Sequence, residues 1–241
     1  MVEKATNATI TIVFDNNAYD SELKTGWGFS CLVSLEEKEI LFDTGSDSPG
    51  LISNMEKLKI DPKKIDIVVL SHIHGDHAGG LFGLLEIAHS IVVCAPQSFP
   101  ESFKDRIRVY GAKLVNVSEQ MQIFDSVYTT GELGTWIKEQ SLVVKTDKGV
   151  VVITGCAHPG IVNIVEWAKE FTKDDVYLIL GGFHLGDASN DEIKSVVASF
   201  RSLGVAKVAP CHCTGDRAIK TFKTEYKDNF IEAGVGKKIV V

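Results

Sequence analysis

Strand-like patterns of apolar residues recur along the whole sequence. Residues 8–14 alternate between apolar and polar side chains, which predicts a strand. Residues 67–70 and 150–153 are continuously apolar, which is typical of strands buried on both faces beneath helices. The predicted strands cover residues 9–14, 28–34, 39–42, 67–70, 91–95, 113–117, 126–130, 141–146, 150–154, 176–180, 206–210 and 238–240. Helical periodicity after turn or capping residues predicts helices at about 49–58, 79–89, 160–171, 191–203 and 214–223.

This order of elements favours an α/β fold in which two mixed β-sheets pack together with helices on their outer faces, a four-layer αβ/βα sandwich. A single doubly wound sheet is the alternative. Against it, residues 141–146 and 150–154 are joined by Asp147-Lys148-Gly149, which predicts an antiparallel hairpin in the second half. The sequence has no repeat of fixed period and no Pro/Ser-rich linker, so we predict one domain over residues 1–241.

Composition and charge narrow the class of partner. Apolar residues make up 44% of the chain and charged residues 24%, close to the average of soluble globular proteins. The formal net charge of -7, without a stripe of Lys or Arg, argues against nucleic acid. No segment approaches the roughly 18 to 20 apolar residues of a membrane span. We therefore expect a small-molecule substrate, no nucleic-acid or membrane partner, and leave a homo-oligomer open.

The cysteines bear on the cellular compartment. The chain has 5 of them, an odd number scattered along the sequence, and it begins without a continuous apolar region of the signal-peptide kind. Scattered cysteines in a chain without such a signal are typical of reduced thiols. We therefore predict a cytoplasmic protein.

Four side chains of metal-ligand type follow the apolar run at residues 65–70: His72, His74, Asp76 and His77. The carboxyl ends of buried strands are where α/β proteins place their sites. In extended chain, residues two apart point the same way, so His72 and His74 can bind one metal ion. Asp76 and His77 enter the next turn and can reach a second ion. The alternative is a set of surface loop histidines, but four such side chains so close together at a strand end are rarely accidental.

Imidazole and carboxylate are ligand types expected for zinc, and also for iron or manganese. Two ions about 3.5 to 4 Å apart can bind a hydroxide nucleophile and clamp the oxygens of a substrate. We therefore predict an enzyme with two divalent metal ions, Zn²⁺ first among them, in which Asp76 is a catalytic residue as well as a ligand.

The pattern His72-x-His74-x-Asp76-His77, preceded upstream by the segment 41–45 (Leu-Phe-Asp-Thr-Gly), resembles the metallo-β-lactamase superfamily over nearly the whole chain. The resemblance implies an αβ/βα sandwich with the site along one edge, in agreement with the pattern of strands and helices. It also implies that Asp43 supports the metal ligands from behind, as is reasonable for an Asp that ends a strand beside them.

The second half departs from the superfamily pattern. Members have a further histidine in a Gly-rich turn and then a bridging Asp, but the turn at residues 130–134 contains no histidine. Cys156 stands where the bridging Asp is expected, and a buried packing role is the alternative to a ligand role for its thiol. His158 is the best replacement for the missing imidazole and is assigned to the first metal. Glu132 is a weaker candidate, expected to be a surface turn residue.

The last ligand implied by the resemblance is His212, at a strand end before a helix. Cys211 and Cys213 flank it. A separate zinc site built on these cysteines is the alternative, but no second Cys/His pair stands at finger-like spacing, so we expect both thiols to pack locally.

His184 follows the apolar run at residues 176–180 and is left over once the metal positions are filled. In phosphodiesterase-like members of the superfamily, a histidine in a comparable place contacts the substrate. The resemblance therefore implies that His184 is catalytic and donates a proton to a leaving oxygen, with a structural histidine as the alternative. Thr214 and Arg217 open the helix after His212 and are predicted to bind a substrate phosphate, with an ordinary helix N-cap as the alternative.

The segments 155–160, 181–185 and 211–215 together resemble one superfamily branch, which contains an archaeal dihydropterin ribofuranosylaminobenzene 5'-phosphate synthase. The branch implies the joining of a pterin methyl carbon to a phosphoribosyl aniline, whereas the site chemistry favours hydrolysis. We predict a metallo-hydrolase that acts on a small phosphorylated or otherwise anionic substrate through metal-bound hydroxide. The alternatives are a synthase-type transferase, a di-iron redox protein and a non-catalytic metal-binding protein.

Overall fold

The structure is a computed structural model that describes residues 7–241, so residues 1–6 of the predicted domain lie outside the described residues. The strands are β1 (Thr9–Asp15), β2 (Phe29–Ser34), β3 (Glu39–Phe42), β4 (Ile67–Val69), β5 (Val92–Pro96), β6 (Lys113–Val117), β7 (Met121–Phe124), β8 (Val127–Thr129), β9 (Leu142–Thr146), β10 (Gly149–Thr154), β11 (Val176–Gly182), β12 (Lys207–Cys211) and β13 (Lys238–Val240). The α-helices are α1 (Ser48–Lys57), α2 (Gly75–Ala78), α3 (Leu81–Ile87), α4 (Glu101–Val109), α5 (Ile161–Thr172), α6 (Asn190–Ser202) and α7 (Asp216–Tyr226). Short 3-10 helices cover Pro62–Lys64, His212–Thr214 and Lys227–Asn229.

The described chain divides into two units, which we call the first unit (residues 7–119 and 234–241) and the second unit (residues 120–233). The one domain expected over residues 1–241 stays a prediction. Each unit contains one mixed sheet, so the alternative of a single doubly wound sheet does not describe this chain.

The first unit has a seven-stranded sheet in the order β13-β1-β2-β3-β4-β5-β6. Pairing is antiparallel from β13 to β3 and parallel from β3 to β6. All three residues of β4 are buried, as its continuous apolar sequence predicts for a strand inside a sheet. Apolar side chains of α1 and α3, such as Leu51, Met55 and Leu84, complete the core of this unit. Fully burying one such side chain contributes roughly 1.5–3 kcal/mol.

The second unit has a six-stranded sheet in the order β12-β11-β10-β9-β8-β7. β10, β11 and β12 are parallel neighbours, and the remaining pairs are antiparallel. The predicted hairpin is confirmed, because β9 and β10 pair antiparallel with Thr146 opposite Gly149. The apolar core of this unit includes residues of α5, α6 and α7, among them Ile164, Phe200 and Phe222.

Three parts of the secondary-structure prediction were wrong. The helix expected at 79–89 is present as α3, but the single turn α2 just before it was not predicted, and Gly79 and Gly80 separate the two. The helix α4 was missed, since only Lys104 and Ile107 of its side chains are buried and the apolar stripe is too thin to show in the sequence. The strand β7 was also missed, and its four residues are only partly buried or exposed.

Among the described residues, no helix is both long enough and apolar enough to cross a membrane.

Candidate functional site

The histidine cluster of the first unit lies where two parallel strands end side by side. Phe42 of β3 is in register with Val69 of β4, and the backbone N–H of Asp43 donates to the Val69 carbonyl at 2.9 Å. Because both strands run the same way, the residues that follow them emerge at the same edge of the sheet. Asp43 therefore lies beside Ser71 and the histidines that follow it.

Asp43 is fully buried and accepts hydrogen bonds from three groups of the cluster. One carboxylate oxygen accepts from the backbone N–H of Ser71 at 2.6 Å. The other lies 2.7 Å from both the Ser71 hydroxyl and Nδ1 of His77. A carboxylate behind a histidine fixes its tautomer and its ring orientation. This geometry agrees with the role expected for Asp43 from the resemblance, which is to hold the predicted metal ligands in place from behind.

The same network sets the orientation of His72. Its Nδ1 lies 2.9 Å from the Ser71 hydroxyl, which already donates its proton to Asp43 and therefore accepts from the ring. The Nε2 of His72 is then turned towards Nδ1 of His74, 3.1 Å away. Two nitrogen ligands of a tetrahedral zinc ion stand roughly 3.3 Å apart, from a Zn–N distance of about 2.0 Å. The spacing of these two nitrogens fits a shared metal ion.

Asp76 lies close to the pair His72 and His74 and also to His77. One of its carboxylate oxygens and the facing ring nitrogens of His72 and His74 lie within 4.8 Å of one another. Its Oδ2 is also 3.6 Å from Nε2 of His77, whose Nδ1 is bound to Asp43. The structure thus brings together in the first unit the four residues that the sequence predicts as ligands of two ions. The Asp76 carboxylate lies near the pair His72 and His74 and near His77.

The chain is held in this shape by the loop that follows β3. The carbonyl of His77 accepts from both the N–H and the hydroxyl of Thr44, at 2.7 and 2.9 Å. Gly28, at φ 148°, faces the carbonyl of Asp76 so closely that a Cβ would collide with it. A side chain at position 28 would therefore displace the turn that carries Asp76.

Replacing Asp43 with asparagine is expected to lower the Zn²⁺ affinity of the first unit by about 10–100-fold, the range for partners that orient metal ligands. The amide nitrogen would face a hydrogen-bond donor, whichever way the side chain is turned, so His77 or Ser71 loses its acceptor. Calorimetric titration of metal-free protein with Zn²⁺ measures the change. Asp105→Asn, an exposed carboxylate on α4, should leave the affinity at the wild-type value. Equal affinity in the two variants would contradict the role given to Asp43.

The predicted residues of the second unit lie in three loops that follow its parallel strands. Cys156 and His158 follow β10, His184 follows β11, and His212 follows directly on β12. Since these strands are adjacent in the sheet, their loops emerge side by side at one edge. Cys156 and His212 are almost completely buried, and their Sγ and Nε2 atoms are 3.5 Å apart. The thiol is therefore in contact with another predicted ligand.

A buried carboxylate that the sequence analysis missed organises the loop after β10. Glu139, 1% exposed, accepts from the backbone N–H groups of Cys156, Ala157 and His158 at 2.8–2.9 Å. Its Oε2 also lies 2.8 Å from Nδ1 of His158. Nδ1 is thereby occupied, and Nε2 is the nitrogen that His158 can offer to a metal. In its own unit, Glu139 corresponds to Asp43 in the first.

Cys213 lies in a position that the sequence did not predict. Its thiol, the His184 ring and the Cys156 thiol have ligand atoms within 4.8 Å of one another. A hydrogen bond with the Cys156 side chain, opposed by burial and assisted by His184, lowers the pKa of Cys213 to about 5. The contact with Cys213 in turn raises the pKa of His184. Burial alone raises the pKa of Cys94 in the first unit to about 12, which is the behaviour of a core thiol.

The structure argues against a phosphate contact from the Thr214 side chain. Thr214 is completely buried, and its hydroxyl donates to the Cys211 carbonyl at 2.7 Å while accepting from the Phe183 N–H at 3.1 Å. Both hydrogen bonds hold neighbouring loops together, which explains why a Thr stands there. Arg217 is exposed at the start of α7 and donates to the Ala188 carbonyl at 2.5 Å. Its phosphate role, like the proton-donor role of His184, stays a prediction, and Glu132 remains only a weaker candidate ligand.

Four of the nine non-glycine residues with positive φ in the described chain lie in these loops. Asp43, Ala157, His184 and His212 have φ values of 58°, 64°, 54° and 49°. A non-glycine residue in this left-handed region costs of order 1–3 kcal/mol, and such residues gather at functional sites, where their surroundings fix them. The hydrogen bonds of Asp43 and Glu139 supply that fixation in the two units.

Comparison with known proteins gives the family. A family model described as the metallo-beta-lactamase superfamily matches residues 28–212. The 7,8-dihydropterin-6-methyl-4-(beta-D-ribofuranosyl)-aminobenzene-5'-phosphate synthase of Methanocaldococcus jannaschii is 32% identical, over 95% of this chain and 95% of its own. The crystal structure of Tm1679, described as a metal-dependent hydrolase of the beta-lactamase superfamily, is 30% identical and matches with a TM-score of 0.80 over 97% of this chain and 99% of its own.

A more distant structure shares the fold. The metallo-beta-lactamase fold protein YhfI from Bacillus subtilis matches with a TM-score of 0.73 over 98% of this chain and 100% of its own, at 14% identity. The predicted α/β fold class and the resemblance to the synthase branch are both confirmed by these matches. The chain belongs to the metallo-β-lactamase superfamily.

Proposed function

We propose that this chain is a metal-dependent hydrolase that acts on a small phosphorylated or otherwise anionic substrate with the help of divalent metal ions, Zn²⁺ first among them. The observation that carries the proposal is the convergence of His72 Nε2 and His74 Nδ1 at 3.1 Å. The other nitrogen of His72 is held by Ser71, and that of His77 by Asp43. Such an arrangement orients lone pairs towards one point, which histidines of an ordinary surface loop do not need.

The donor set fits a divalent cation of the zinc, iron or manganese class. The proposed ligands are His72, His74, Asp76 and His77 in the first unit and Cys156, His158 and His212 in the second. When bound, such ions acidify a bound water and polarise the oxygens of a substrate. The likeness to Tm1679, described as a metal-dependent hydrolase, supports this class of reaction.

The residues of the chain have distinct tasks in this proposal. Asp43 and Ser71 keep the imidazoles in one tautomer, so the ligands need little rearrangement when a cation binds. The Asp76 carboxylate is partly accessible and can accept a proton from water during attack, in addition to acting as a ligand. Arg217 is exposed and supplies a cationic group for an anionic substrate at the amino end of α7.

A second candidate is a synthase-type transferase. It is favoured by the 32% identity to the Methanocaldococcus jannaschii synthase, which extends over 95% of both chains. The name of that relative includes a 5'-phosphate, which agrees with the anionic substrate proposed for this chain. In a synthase, the same ligands would activate a pterin substrate, and the site would have to exclude water.

One assay separates the two candidates. Zn²⁺-reconstituted protein is incubated with phosphodiester, phosphomonoester, lactone and thioester substrates, and separately with a dihydropterin and a ribofuranosylaminobenzene phosphate. We expect hydrolysis of at least one phosphate ester and no coupled product. A coupled pterin product without hydrolysis would replace the hydrolase by the synthase, and the absence of all turnover with metal bound would overturn both.

A further inference from the structure

Three adjacent parallel strands of the second unit each deliver a sulfur or imidazole ligand at the same distance beyond the strand end. β10 ends at Thr154 and is followed two residues later by Cys156. β11 ends at Gly182 and is followed two residues later by His184, and β12 ends at Cys211 and is followed two residues later by Cys213. Gly182 is opposite Cys211, so His184 and Cys213 emerge at the same level, whereas Thr154 is opposite Gly181, so Cys156 emerges one position earlier. Neighbouring parallel strands nevertheless bring all three side chains to one edge of the sheet.

We propose that Cys156, His184 and Cys213 form a thiophilic metal site in the second unit, which binds a divalent cation of the zinc class through two thiolates and one imidazole and shares the Cys156 thiolate with the His158 and His212 ligands proposed above. The three ligand atoms lie within 4.8 Å of one another. Two sulfur ligands of a tetrahedral zinc ion stand roughly 3.8 Å apart, from a Zn–S distance of about 2.3 Å. A Cys₂His set leaves one coordination position for a fourth ligand or for a substrate atom.

The backbone is shaped to allow this approach. A Cβ at position 182 would lie 2.4 Å from the Gly155 carbonyl oxygen and 2.6 Å from the Cys213 sulfur, so glycine leaves room both for the neighbouring backbone and for the sulfur. The Cys213 thiol also points at the Cys156 carbonyl, 3.6 Å away. His184 is held in a left-handed conformation at φ 54°, next to the ring of His158 at a centroid distance of 4.6 Å. Thiols that only fill a gap in the core would need neither the contact between Cys213 and Cys156 nor the left-handed conformation of His184.

The surroundings of the site suit a soft cation. Cys156 is buried, Cys213 half-buried and His184 exposed, so the set is reached from one side. Both sulfurs coordinate as thiolates and His184 as a neutral ring, so any proton that these groups carry is released to solvent on binding. Two thiolates select zinc-like ions over Mg²⁺ or Ca²⁺, which prefer oxygen ligands. In this assignment His184 is a ligand rather than the proton donor expected from the sequence.

The choice of cation rests on the proposed metal-dependent function. The experiment, however, measures only whether sulfur atoms bind the metal ion, so it can fail without affecting that function. Metal-free, fully reduced protein is titrated with Co²⁺, whose thiolate complexes give a charge-transfer band in the near ultraviolet. We expect the wild-type band to fall by about half in both Cys213→Ser and Cys156→Ser, since each removes one of two thiolates. His184→Ala should keep the band but require at least about tenfold more Co²⁺. Cys211→Ala, the neighbouring buried thiol, should match the wild type.

The outcomes of the titration distinguish a Cys₂His metal site from thiols that only pack in the core. A wild-type protein without the band, or a Cys213→Ser band of full intensity, overturns the Cys₂His site. Visible ligand-field absorption of Co²⁺ that survives in both cysteine variants leaves the metal-dependent function of the first-unit cluster standing. If Cys213→Ser loses its circular dichroism spectrum, Cys213→Ala replaces it, because alanine removes the sulfur without adding a hydroxyl to the half-buried position.

Discussion

Replacing His74 with alanine is expected to lower the turnover of a chromogenic aryl phosphodiester by about two to four orders of magnitude. His74 is only partly buried, so its removal leaves no cavity in the core, in contrast to that of the fully buried His72. The variant loses the nitrogen that faces Nε2 of His72 at 3.1 Å. A divalent cation contributes several kcal/mol of transition-state stabilisation, taken as about 3–5 kcal/mol. About 1.4 kcal/mol corresponds to a factor of ten in rate.

The matched control for this variant is His89→Ala. His89 is exposed just beyond the end of α3 and outside the cluster. We expect its kcat/KM and its metal content to equal those of the wild type. If His74→Ala kept wild-type turnover with less metal bound, the cluster would be a structural site and the proposed reaction would have to be placed elsewhere.

Replacing Glu139 with glutamine is expected to destabilise the protein by about 2–6 kcal/mol. Each carboxylate oxygen accepts two hydrogen bonds, Oε1 from Cys156 and Ala157 and Oε2 from two groups of His158. An amide nitrogen in place of one oxygen faces two donors and leaves both without an acceptor. A buried group left unsatisfied in this way costs about 1–3 kcal/mol.

Thermal unfolding followed by circular dichroism measures this change. A loss of 1 kcal/mol lowers the melting temperature by about 2–4 °C in domains of 150–250 residues, so a fall of at least about 4 °C is expected. Glu166→Gln, an exposed carboxylate on α5, makes the same chemical change and should shift the melting temperature by less than about 2 °C. Equal melting temperatures for the two variants would show that the carboxylate does not hold the loop after β10.

The first-unit cluster could be predicted because its ligands are local in the sequence. His72, His74, Asp76 and His77 follow one continuous apolar strand, and strand geometry alone places the first two on one side. Asp43 was predicted only through the resemblance, because its contact with His77 depends on β3 and β4 being parallel neighbours. The sequence shows both strands but does not show that they pair.

The contacts of Glu139 and Cys213 in the second unit were harder to predict for the same reason, because their partners are distant in sequence. Glu139 reaches its partners across 17–19 positions of chain, and no motif marks it as a buried residue. Cys213 was expected to pack locally because the sequence has no second Cys/His pair at finger-like spacing. Its neighbours Cys156 and His184 come from two other strand ends, and only the register of β10, β11 and β12 brings them together. The predicted strands end at 154, 180 and 210, at unequal distances from the three residues, so the sequence carried no signal that could have revealed the cluster in advance.

The location of the protein and its partners stay predictions. The cytoplasmic prediction rests on the scattered cysteines and the prediction of a small-molecule substrate on the net charge of -7, and an assay of cell fractions and of bound metabolites would address both. Neither affects the metal chemistry proposed for the His72 cluster.

The most direct test of metal dependence is elemental analysis of the purified protein combined with activity before and after chelation. Protein purified without chelator and reconstituted with Zn²⁺ is predicted to carry at least one divalent ion per chain, to lose the proposed hydrolysis of phosphate esters when that ion is removed, and to regain it when Zn²⁺ is restored. A chain that holds less than one metal ion after reconstitution, or that keeps full activity without metal, would contradict the account.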